Sequence, residues 1–342
     1  MDKKVVFSVA GSGKTRFIIN KLSLEKRSLV VTYTDNNLNE LRNRIIKKFG
    51  YFPNNIKLMS YFSFIHMFCF KPFLAYKYKT KGITFSPNPN RFAKKTDNSY
   101  FINRDKRVYS NRIAKFIKER GATDNVLKRL EKYFDDLFID EIQDIAGHDF
   151  NFLKDIVKAK INIFLVGDFY QHTFDTSRDG SVNKNLHKEY LKYKNEFKKM
   201  NLDIDETSLE KSYRCGPEVC KFISTKLCIK INSMKTDKSV VLKITNSDEI
   251  RKIFNDGTII KLFLKQHYNY CCYSKNWGES KGEDHYNHVC VVLNKGTMDY
   301  YKKDILHKLN PQTRNKLYVA CTRAKENLFL ISEEDLKKAI SS

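Results

Sequence analysis

A glycine-rich hexapeptide near the N-terminus carries residue types that can hold a phosphate group. It reads Ala10-Gly11-Ser12-Gly13-Lys14-Thr15 and lies between an apolar run, Val5–Val9, and a helix-like pattern that opens at Phe17. Gly11 and Gly13 allow backbone N–H groups to point inward around an anion, and a helix N-terminus adds its partial positive charge. A strand, a glycine turn and a helix start form the context that is typical of a phosphate loop.

The last two residues of the hexapeptide supply the side chains that a nucleoside triphosphate needs. Lys14 can reach the terminal phosphates, and the Thr15 hydroxyl can bind Mg²⁺. Ser8 stands where the general pattern has its first glycine. The alternative is an ordinary strand-to-helix turn with a surface lysine, but the string and its context agree on the phosphate loop. We therefore predict that ATP and Mg²⁺ bind here.

Polar side chains follow two further apolar runs. The first run, Leu137-Phe138-Ile139, is followed by Asp140-Glu141-Ile142-Gln143-Asp144. The second run, Ile163–Gly167, is followed by Asp168 and Gln171. A strand-end aspartate can hold Mg²⁺, and the next carboxylate can polarise an attacking water. Open parallel sheets bind ligands at the carboxyl edge of their strands. Asp140, Glu141 and Gln171 are therefore candidates for metal ligand, catalytic base and γ-phosphate contact.

The elements that must position these residues alternate between strand and helix patterns, which indicates an α/β fold with parallel sheets. In the first part we expect strands at Ser28–Thr34, Leu137–Asp140 and Ile161–Gly167, with a helix at Leu38–Phe49. A second unit begins near Asn201, with strands at Val240–Ile244, Thr258–Leu264, Val289–Leu293 and Asn327–Ile331 and a closing helix at Glu333–Ile340. The predicted domains are residues 1–200 and 201–342.

A basic segment interrupts the pattern between about residues 71 and 121. Its cations alternate with aromatic residues, and they include Lys77, Lys79, Lys81, Arg91, Lys94, Lys95, Arg104, Lys106 and Arg107 beside Tyr76, Tyr78, Phe85, Phe92, Tyr100, Phe101 and Tyr109. Phosphate pairing with base stacking would suit a single-stranded nucleic acid. A solvated basic loop with aromatic residues packed beneath it explains the pattern equally well.

The composition points to a polyanionic partner. The 342 residues include 63 Lys and Arg against 39 Asp and Glu, a formal net charge of +24. Such an excess favours nucleic acid, although compositional drift toward lysine gives the same sign. We expect no membrane segment, because no apolar run is long enough. The eight cysteines are scattered without a C-x-x-C pair, so we expect a cytoplasmic protein with reduced thiols.

The motifs taken together resemble the UvrD/Rep-like superfamily 1 DNA helicases. The phosphate loop, the DEIQD string (Asp140–Asp144) and the GD-x-x-Q string (Gly167–Gln171) occur in that family's order. Four more strings are similar to other motifs of that family: Tyr33–Ile45, Leu209–Cys215, Gly278–Asp284 and Leu317–Ala324. The resemblance runs from Ala10 to Ala324. It implies two RecA-like P-loop NTPase lobes, a small basic insertion in the first lobe, and ATP hydrolysis at the cleft between the lobes.

Individual site residues follow from this resemblance. It implies that Lys14, Asp140, Glu141 and Gln171 act on ATP and Mg²⁺, that Tyr213 stacks on adenine, and that Arg214 and Arg323 contact the γ-phosphate. Gly282 and Asp284 would lie at the ribose, with Glu283 as an alternative register. Thr34, Asn36, Ser63, Phe64 and Phe174 would line the path of the strand, although a core position for Phe64 remains open.

Three departures from the family pattern bear on function. We expect the upstream glutamine motif, which reads adenine, to be absent. The chain between Tyr213 and Gly278 is too short for the family's large 2B insertion. Thr176 stands where relatives have a base-stacking tryptophan.

The sequence therefore predicts an ATP-dependent DNA helicase or single-stranded DNA translocase. One alternative is a DNA-gated ATPase that serves a partner, such as a nuclease in phage defence, without unwinding of its own. A second is a nucleic-acid binder with a relic ATP site. A P-loop kinase is disfavoured, because it has no need of the DEIQD string or of the TRA string, Thr322-Arg323-Ala324.

Overall fold

The computed structural model describes residues 1–90 and 92–341. Arg91, one of the predicted basic residues, and Ser342, the end of the predicted second domain, lie outside the described residues. The chain forms two compact units. The first comprises Met1–Val6, Thr15–Gly167 and Phe174–Asp205, and the second comprises Phe7–Lys14, Asp168–Thr173 and Glu206–Ser342. The sequence-based boundary after residue 200 lies just before the last of these divisions.

A six-stranded sheet forms the centre of the first unit. Its strands are β1 (Lys3–Phe7), β2 (Ser28–Thr32), β3 (Ile56–Ser60), β6 (Asp136–Ile139), β7 (Asn162–Gly167) and β8 (Asp203–Asp205), in the order β3-β2-β6-β7-β1-β8. The pairs β2–β3, β2–β6, β6–β7 and β1–β8 are parallel. Every residue of β2 and β6 is buried, as expected for strands covered on both faces.

Helices connect the strands of the first unit. They are α1 (Lys14–Lys21), α2 (Asp35–Phe49), α3 (Tyr61–Ser63), α4 (Tyr76–Tyr78), α5 (Asn98–Phe101), α6 (Ile113–Glu119), α7 (Thr123–Tyr133), α8 (Gly147–Ile156) and α9 (Tyr190–Lys199). The π-helix Phe64–Ala75 continues α3. Helix α2 begins three residues before the predicted start, because the Thr34 hydroxyl accepts a hydrogen bond from the Asn37 N–H and caps the helix there.

The predicted insertion is a small substructure of the first unit. It contains α4, α5, α6 and two short parallel strands, β4 (Gly82–Thr84) and β5 (Arg107–Tyr109). Its aromatic residues divide into a buried and an exposed group, and binding of a strand to the exposed ones stays a prediction. Tyr100, Phe101 and Tyr109 are buried, whereas Tyr76, Phe85 and Phe92 are exposed.

A five-stranded parallel sheet forms the second unit. Its strands are β11 (Val241–Ile244), β12 (Ile260–Phe263), β13 (Ser274–Asn276), β14 (Val289–Leu293) and β15 (Leu328–Ser332), in the order β11-β15-β14-β12-β13. A separate parallel pair joins β9 (Lys211–Ser212) and β10 (Asn232–Ser233). The helices are α10 (Pro217–Lys226), α11 (Ser247–Asn255), α12 (Lys295–Lys302), α13 (Pro311–Cys321) and α14 (Glu333–Ser341).

Hydrophobic clusters cover both faces of this second sheet. Val289, Val291 and Leu293 of β14 belong to one cluster, and the alternate residues Cys290 and Val292 belong to the other. This alternation follows from the two-residue side-chain period of a strand. Among the described residues, no helix is both long and apolar enough to cross a membrane.

Candidate nucleotide-binding site

The predicted phosphate loop connects β1 to α1. Gly11 and Gly13 have φ angles of 70° and 88°, in the left-handed region that glycine adopts without strain. Lys14 and Thr15 are the first two residues of α1. The hexapeptide therefore has the strand, turn and helix context from which the phosphate loop was predicted.

Gly11 also lies against the segment that contains Arg214. A Cβ at position 11 would lie 2.5 Å from Arg214 Cβ and 2.8 Å from Ser212 Oγ. The Tyr213 N–H donates a hydrogen bond of 2.9 Å to the Gly11 carbonyl. Both the backbone conformation and the lack of space therefore require glycine at position 11. The backbone and Cβ of Arg214, the arginine predicted to contact the γ-phosphate, lie next to the phosphate loop. The Tyr213 ring itself is 56% exposed.

A buried hydrogen-bonded chain links Ala10 to Asp168 through Tyr318 of α13. The Ala10 N–H donates to Tyr318 Oη at 2.9 Å, and Tyr318 Oη donates to Asp168 Oδ2 at 2.9 Å. Burial, and then the neighbouring Asp168 carboxylate, raise the pKa of Tyr318 well above its ordinary value. The Ala10 N–H is thus occupied by Tyr318, and a part for Ala10 in nucleotide binding stays a prediction.

Asp168 also organises the turn that ends at Gln171. Its carboxylate caps the 3-10 turn Phe169–Gln171 by accepting from the Tyr170 N–H at 3.1 Å. Gln171 is buried, and its N–H donates to the Asp168 carbonyl at 2.9 Å. The predicted γ-phosphate contact is therefore held on a short turn anchored by the same aspartate that Tyr318 contacts.

The predicted metal ligand and catalytic base follow β6 directly. The Asp140 N–H donates to the Val31 carbonyl at 2.9 Å, and Asp140 Oδ1 accepts from the Glu141 N–H at 2.9 Å. Glu141 has a φ angle of 56° and accepts a short hydrogen bond from the Gln143 side chain. Both carboxylates are buried. A non-glycine residue in this left-handed conformation carries backbone strain, which often marks functional positions.

Gly167 makes room for the DEIQD string. A Cβ at Gly167 would lie 2.4 Å from Gln143 Oε1 and 2.7 Å from Ile142 Cγ1. The glycine at the end of β7 therefore allows the string after β6 to pack closely against it. Because Gln143 in turn contacts Glu141, this packing also fixes the predicted base.

Arg323 is fully buried two residues after the end of α13. Its guanidinium donates to the carbonyl of Val319 at 3.1 Å through Nε and to the carbonyl of Glu283 at 2.6 Å through Nη1. These bonds join Arg323 to the string Gly278–Asp284. Its role toward a γ-phosphate stays a prediction.

The residues predicted at the ribose lie in a loop after the 3-10 turn Trp277–Ser280. Gly282 is exposed and has a φ angle of 87°, and Asp284 is exposed. The alternative residue, Glu283, is already bound by the Lys275 ammonium and the Tyr286 hydroxyl. Of the two registers, Asp284 therefore has the carboxylate that remains at the surface.

Phe64 is a correction to the predicted strand path. Its side chain is only 2% exposed and stacks on Phe68, so it belongs to the core. Phe62 takes the outward position, since residues two apart on a helix point about 200° apart. Its ring meets Tyr33 at a centroid distance of 5.8 Å and the exposed Phe85 of the insertion at 4.8 Å.

The other residues of the predicted path surround this aromatic group. Phe174 is half-buried and packs on Tyr33 at a centroid distance of 4.8 Å, and Asn36 is exposed in the first turn of α2. The hydroxyls of Thr34 and Ser63 have structural partners, the Asn37 N–H and the Ser60 hydroxyl. We refer to Tyr33, Phe62, Phe85 and Phe174 below as the aromatic platform.

Two residues of this site were not predicted as site residues. Tyr318 and Ser212 lie inside motif strings, but neither side chain has an obvious ligand. For Tyr318 a signal exists: a tyrosine on a buried helix face needs a hydrogen-bond partner. For Ser212, which accepts from the N–H groups of Arg214 and Cys215, nothing in the sequence distinguishes it from an ordinary strand-end serine.

Most of the chain matches the profile of one protein family. The profile of the viral superfamily 1 RNA helicase core domain matches residues 91–332. No curated protein matches the chain significantly. The superfamily 1 part of the predicted resemblance is therefore confirmed.

Two solved helicase structures share the fold. Arterivirus nonstructural protein 10 (helicase) in complex with DNA has a TM-score of 0.52 and 15% identity, covering 99% of this chain and 63% of that one. The crystal structure of the same Arterivirus protein gives a TM-score of 0.52 and 15% identity, with coverages of 98% and 61%. The chain thus spans about three fifths of the length of these helicases. The predicted fold class, with two RecA-like lobes and a small basic insertion, is confirmed.

Proposed function

We propose a function from one premise: this chain belongs to the viral superfamily 1 RNA helicase core domain family. The protein hydrolyses ATP and uses the reaction to move along, or to grip, single-stranded nucleic acid. Within the superfamily its DEIQD and TRA strings resemble those of the UvrD/Rep-like group, and on that resemblance we take single-stranded DNA as the preferred polymer.

The contact between Gly11 and Arg214 carries the proposal. Phosphoryl transfer is accelerated mainly by positioned cations that stabilise spreading negative charge. Arg214, whose Cβ lies against Gly11 of the phosphate loop, would supply such a charge. An ordinary glycine turn would have no need of a second segment packed so tightly against it.

The remaining residues fit the same reaction. Lys14 would bind the β- and γ-phosphates, Gln171 would contact the γ-phosphate, and Glu141 would accept a proton from the attacking water. Thr15 and Asp140 offer the oxygen ligands that Mg²⁺ prefers, and the bound ion would neutralise phosphate charge. Tyr213, Gly282 and Asp284 would face the nucleoside.

The net charge of +24 and the aromatic platform support the nucleic-acid part of the proposal. Exposed and half-exposed rings can stack on bases, while lysines pair with phosphates. A protein partner that supplies a nuclease or a duplex-engaging surface is a further part of this proposal, and we place the protein in the cytoplasm.

ATP turnover measured with and without oligonucleotides tests the proposal. We expect oligo(dT) to stimulate ATP turnover more strongly than oligo(U), the matched RNA strand. Glu141→Gln should still bind ATP but lose about 10²–10⁴ in turnover, as expected for loss of a general base. Arg214→Ala should lose turnover while Lys211→Ala, an exposed cation in the same segment, should not. Turnover that is independent of Glu141 and Arg214 would reject the proposed site.

A further inference from the structure

The segment Phe174–Asp179, called here the linking segment, contacts three functional parts of the first unit. At its start, Phe174 packs on Tyr33 of the aromatic platform. In its middle, the Thr176 N–H donates to the Asp144 carbonyl at 3.0 Å, and Thr176 Oγ1 accepts from the Ala146 N–H at 3.2 Å. Thr176, which stands where the family has a tryptophan, is therefore buried and hydrogen-bonded to the last residue of the DEIQD string and to Ala146 just after it.

The linking segment also packs tightly against the start of α8, directly after the DEIQD string. Gly147 has a φ angle of 54°, and a Cβ at this position would lie 2.4 Å from the Ser177 carbonyl oxygen. Ser177 Oγ donates to the Asn111 carbonyl at 2.8 Å, and Asn111 Nδ2 donates to the Arg178 carbonyl at 3.0 Å. The segment is thus bound on one side to the DEIQD string and on the other to the insertion.

Asp179, at the end of the segment, is the centre of a largely buried charged cluster with the insertion. Its carboxylate accepts from Tyr100 Oη at 2.5 Å and from Arg112 Nη2 at 3.2 Å, and it lies 3.8 Å from Lys115 Nζ. From α8, His148 Nε2 approaches to 3.4 Å. The hydrogen bond with His148, then those with the insertion residues, hold the pKa of Asp179 well below its ordinary range.

The insertion residues of this cluster also bind each other. Lys115 Nζ donates to Tyr100 Oη at 2.7 Å, and the Arg112 guanidinium lies 3.8 Å from the centroid of the Tyr100 ring. Arg112 and Asp179 are 12% and 14% exposed. Charge-assisted hydrogen bonds in such an environment are strong, and removal of one charge leaves the others uncompensated.

We propose that Asp179 is a positioning residue that couples the basic insertion to the DEIQD string. It fixes the insertion to the linking segment, and Thr176 fixes that segment to the residues after Glu141. A strand that contacts the insertion or the aromatic platform would then bias the conformation of the hydrolytic residues. The coupling rests on the proposed function, but the mechanical connection on which it depends does not require nucleotide or nucleic acid.

Asp179→Asn tests the connection, because it keeps the side-chain size and removes the charge. Hydrogen–deuterium exchange of the full chain should increase in residues 98–119 and also in residues 141–147, which the substitution does not touch. Asp105→Asn is the matched control: it removes an exposed carboxylate of the same insertion, whose contact is with Asn103. If exchange rises only around the substituted position, the coupling is wrong.

The second readout is ATP turnover against oligonucleotide concentration. For Asp179→Asn the oligo(dT) concentration that gives half-maximal stimulation should rise by about fivefold or more, whereas Asp105→Asn should leave it unchanged. Should Asp179→Asn fail to fold, Tyr100→Phe decides the question, since it removes only the hydroxyl that joins Lys115 and Asp179. If oligonucleotides do not stimulate ATP turnover of the wild-type protein, the proposed function is wrong. The hydrogen-exchange experiment would still test whether the insertion is connected to the DEIQD string.

Discussion

Tyr318 donates its phenolic proton to the Asp168 carboxylate across 2.9 Å, and the same oxygen accepts the Ala10 N–H of the phosphate loop. One buried hydroxyl on α13 therefore connects the phosphate loop with the turn that ends at Gln171. The bond also satisfies an aspartate that is only 1% exposed. A buried carboxylate needs such partners, because burial without hydrogen bonds is costly.

Tyr318→Phe should lower the free energy of unfolding by about 1–3 kcal/mol, because it leaves a buried N–H and a buried carboxylate each short of a partner. Urea unfolding measures the loss. Tyr300→Phe removes a hydroxyl from a more exposed tyrosine of the same unit and should change stability little. Equal stabilities of the two variants would show that the bond contributes nothing.

Gly11→Ala should abolish nucleotide binding. The new methyl group would require a disfavoured φ angle and would collide with Arg214 Cβ and Ser212 Oγ. Titration with a fluorescent ATP analogue checks this result. Gly257→Ala is the control, since a Cβ there meets nothing within 4 Å. Normal binding by Gly11→Ala would mean that the segment containing Arg214 moves away without cost.

The sequence predicted elements well where burial alone decides the structure. Strand β14 coincides with the predicted Val289–Leu293, because a short all-apolar run between polar ends has few other ways to fold. The turn between β1 and α1 was equally clear, since Gly11 and Gly13 adopt the left-handed conformation that glycine favours. The start of α14 at Glu333 was also predicted correctly, whereas α2 begins three residues early, because the capping residue Thr34, rather than an apolar residue, decides where it begins.

The residues of the proposed strand path were harder to predict, because helix phase decides which of them face outward. Phe62 and Phe64 have the same side chain. Only their positions around the helix axis place Phe62 in the aromatic platform and Phe64 in the core. The following π-helix, Phe64–Ala75, makes this worse, since its i→i+5 bonds do not follow the 3.6-residue period. The Asp179 cluster joins residues far apart in sequence, and no local pattern announces such a contact.

Asp149 should make stability depend on pH. Burial raises its pKa from an ordinary 3.8 to about 7, and the nearby hydroxyls of Thr176 and Tyr61 offset this only in part. The unfolded chain releases the proton near pH 3.8, whereas the folded chain holds it to about pH 7. This group's contribution to stability therefore falls as pH rises through that window and is constant above it.

Asp149→Asn removes this loss, so its stability relative to wild type should increase between about pH 4 and pH 7, by roughly 4 kcal/mol at most. Urea unfolding at several pH values measures the difference. Asp155→Asn is the contrasting control: despite burial, hydrogen bonds from Lys158 and Lys118 lower the pKa of Asp155, so this variant should lose stability near neutral pH. A pH-independent difference for Asp149→Asn would contradict the assignment.

Phe62→Ala and Phe64→Ala should separate strand binding from folding. Phe62→Ala removes a ring of the aromatic platform and should weaken oligo(dT) binding by about 1–3 kcal/mol, the usual contribution of one stacked base. Phe64→Ala empties a core position and should cost about 3–5 kcal/mol of stability. Fluorescence anisotropy and urea unfolding of both variants give the comparison, and reversed effects would return Phe64 to the strand path.

The protein should hydrolyse ATP in response to single strands but separate duplexes poorly by itself. Unwinding needs a surface that engages the duplex as well as movement along one strand. The chain between Tyr213 and Gly278 is taken up by β10–β13 with α10 and α11, so this stretch holds no additional duplex-contacting domain. In addition, Thr176 is buried against the DEIQD string and has no aromatic ring that could stack on a base.

A single-turnover strand-displacement assay on a 3′-tailed duplex measures duplex separation directly, with ATP turnover on the unpaired tail strand as the matched control. Efficient displacement by the purified protein would show that the two lobes and the basic insertion suffice, and would remove the reason to expect a partner.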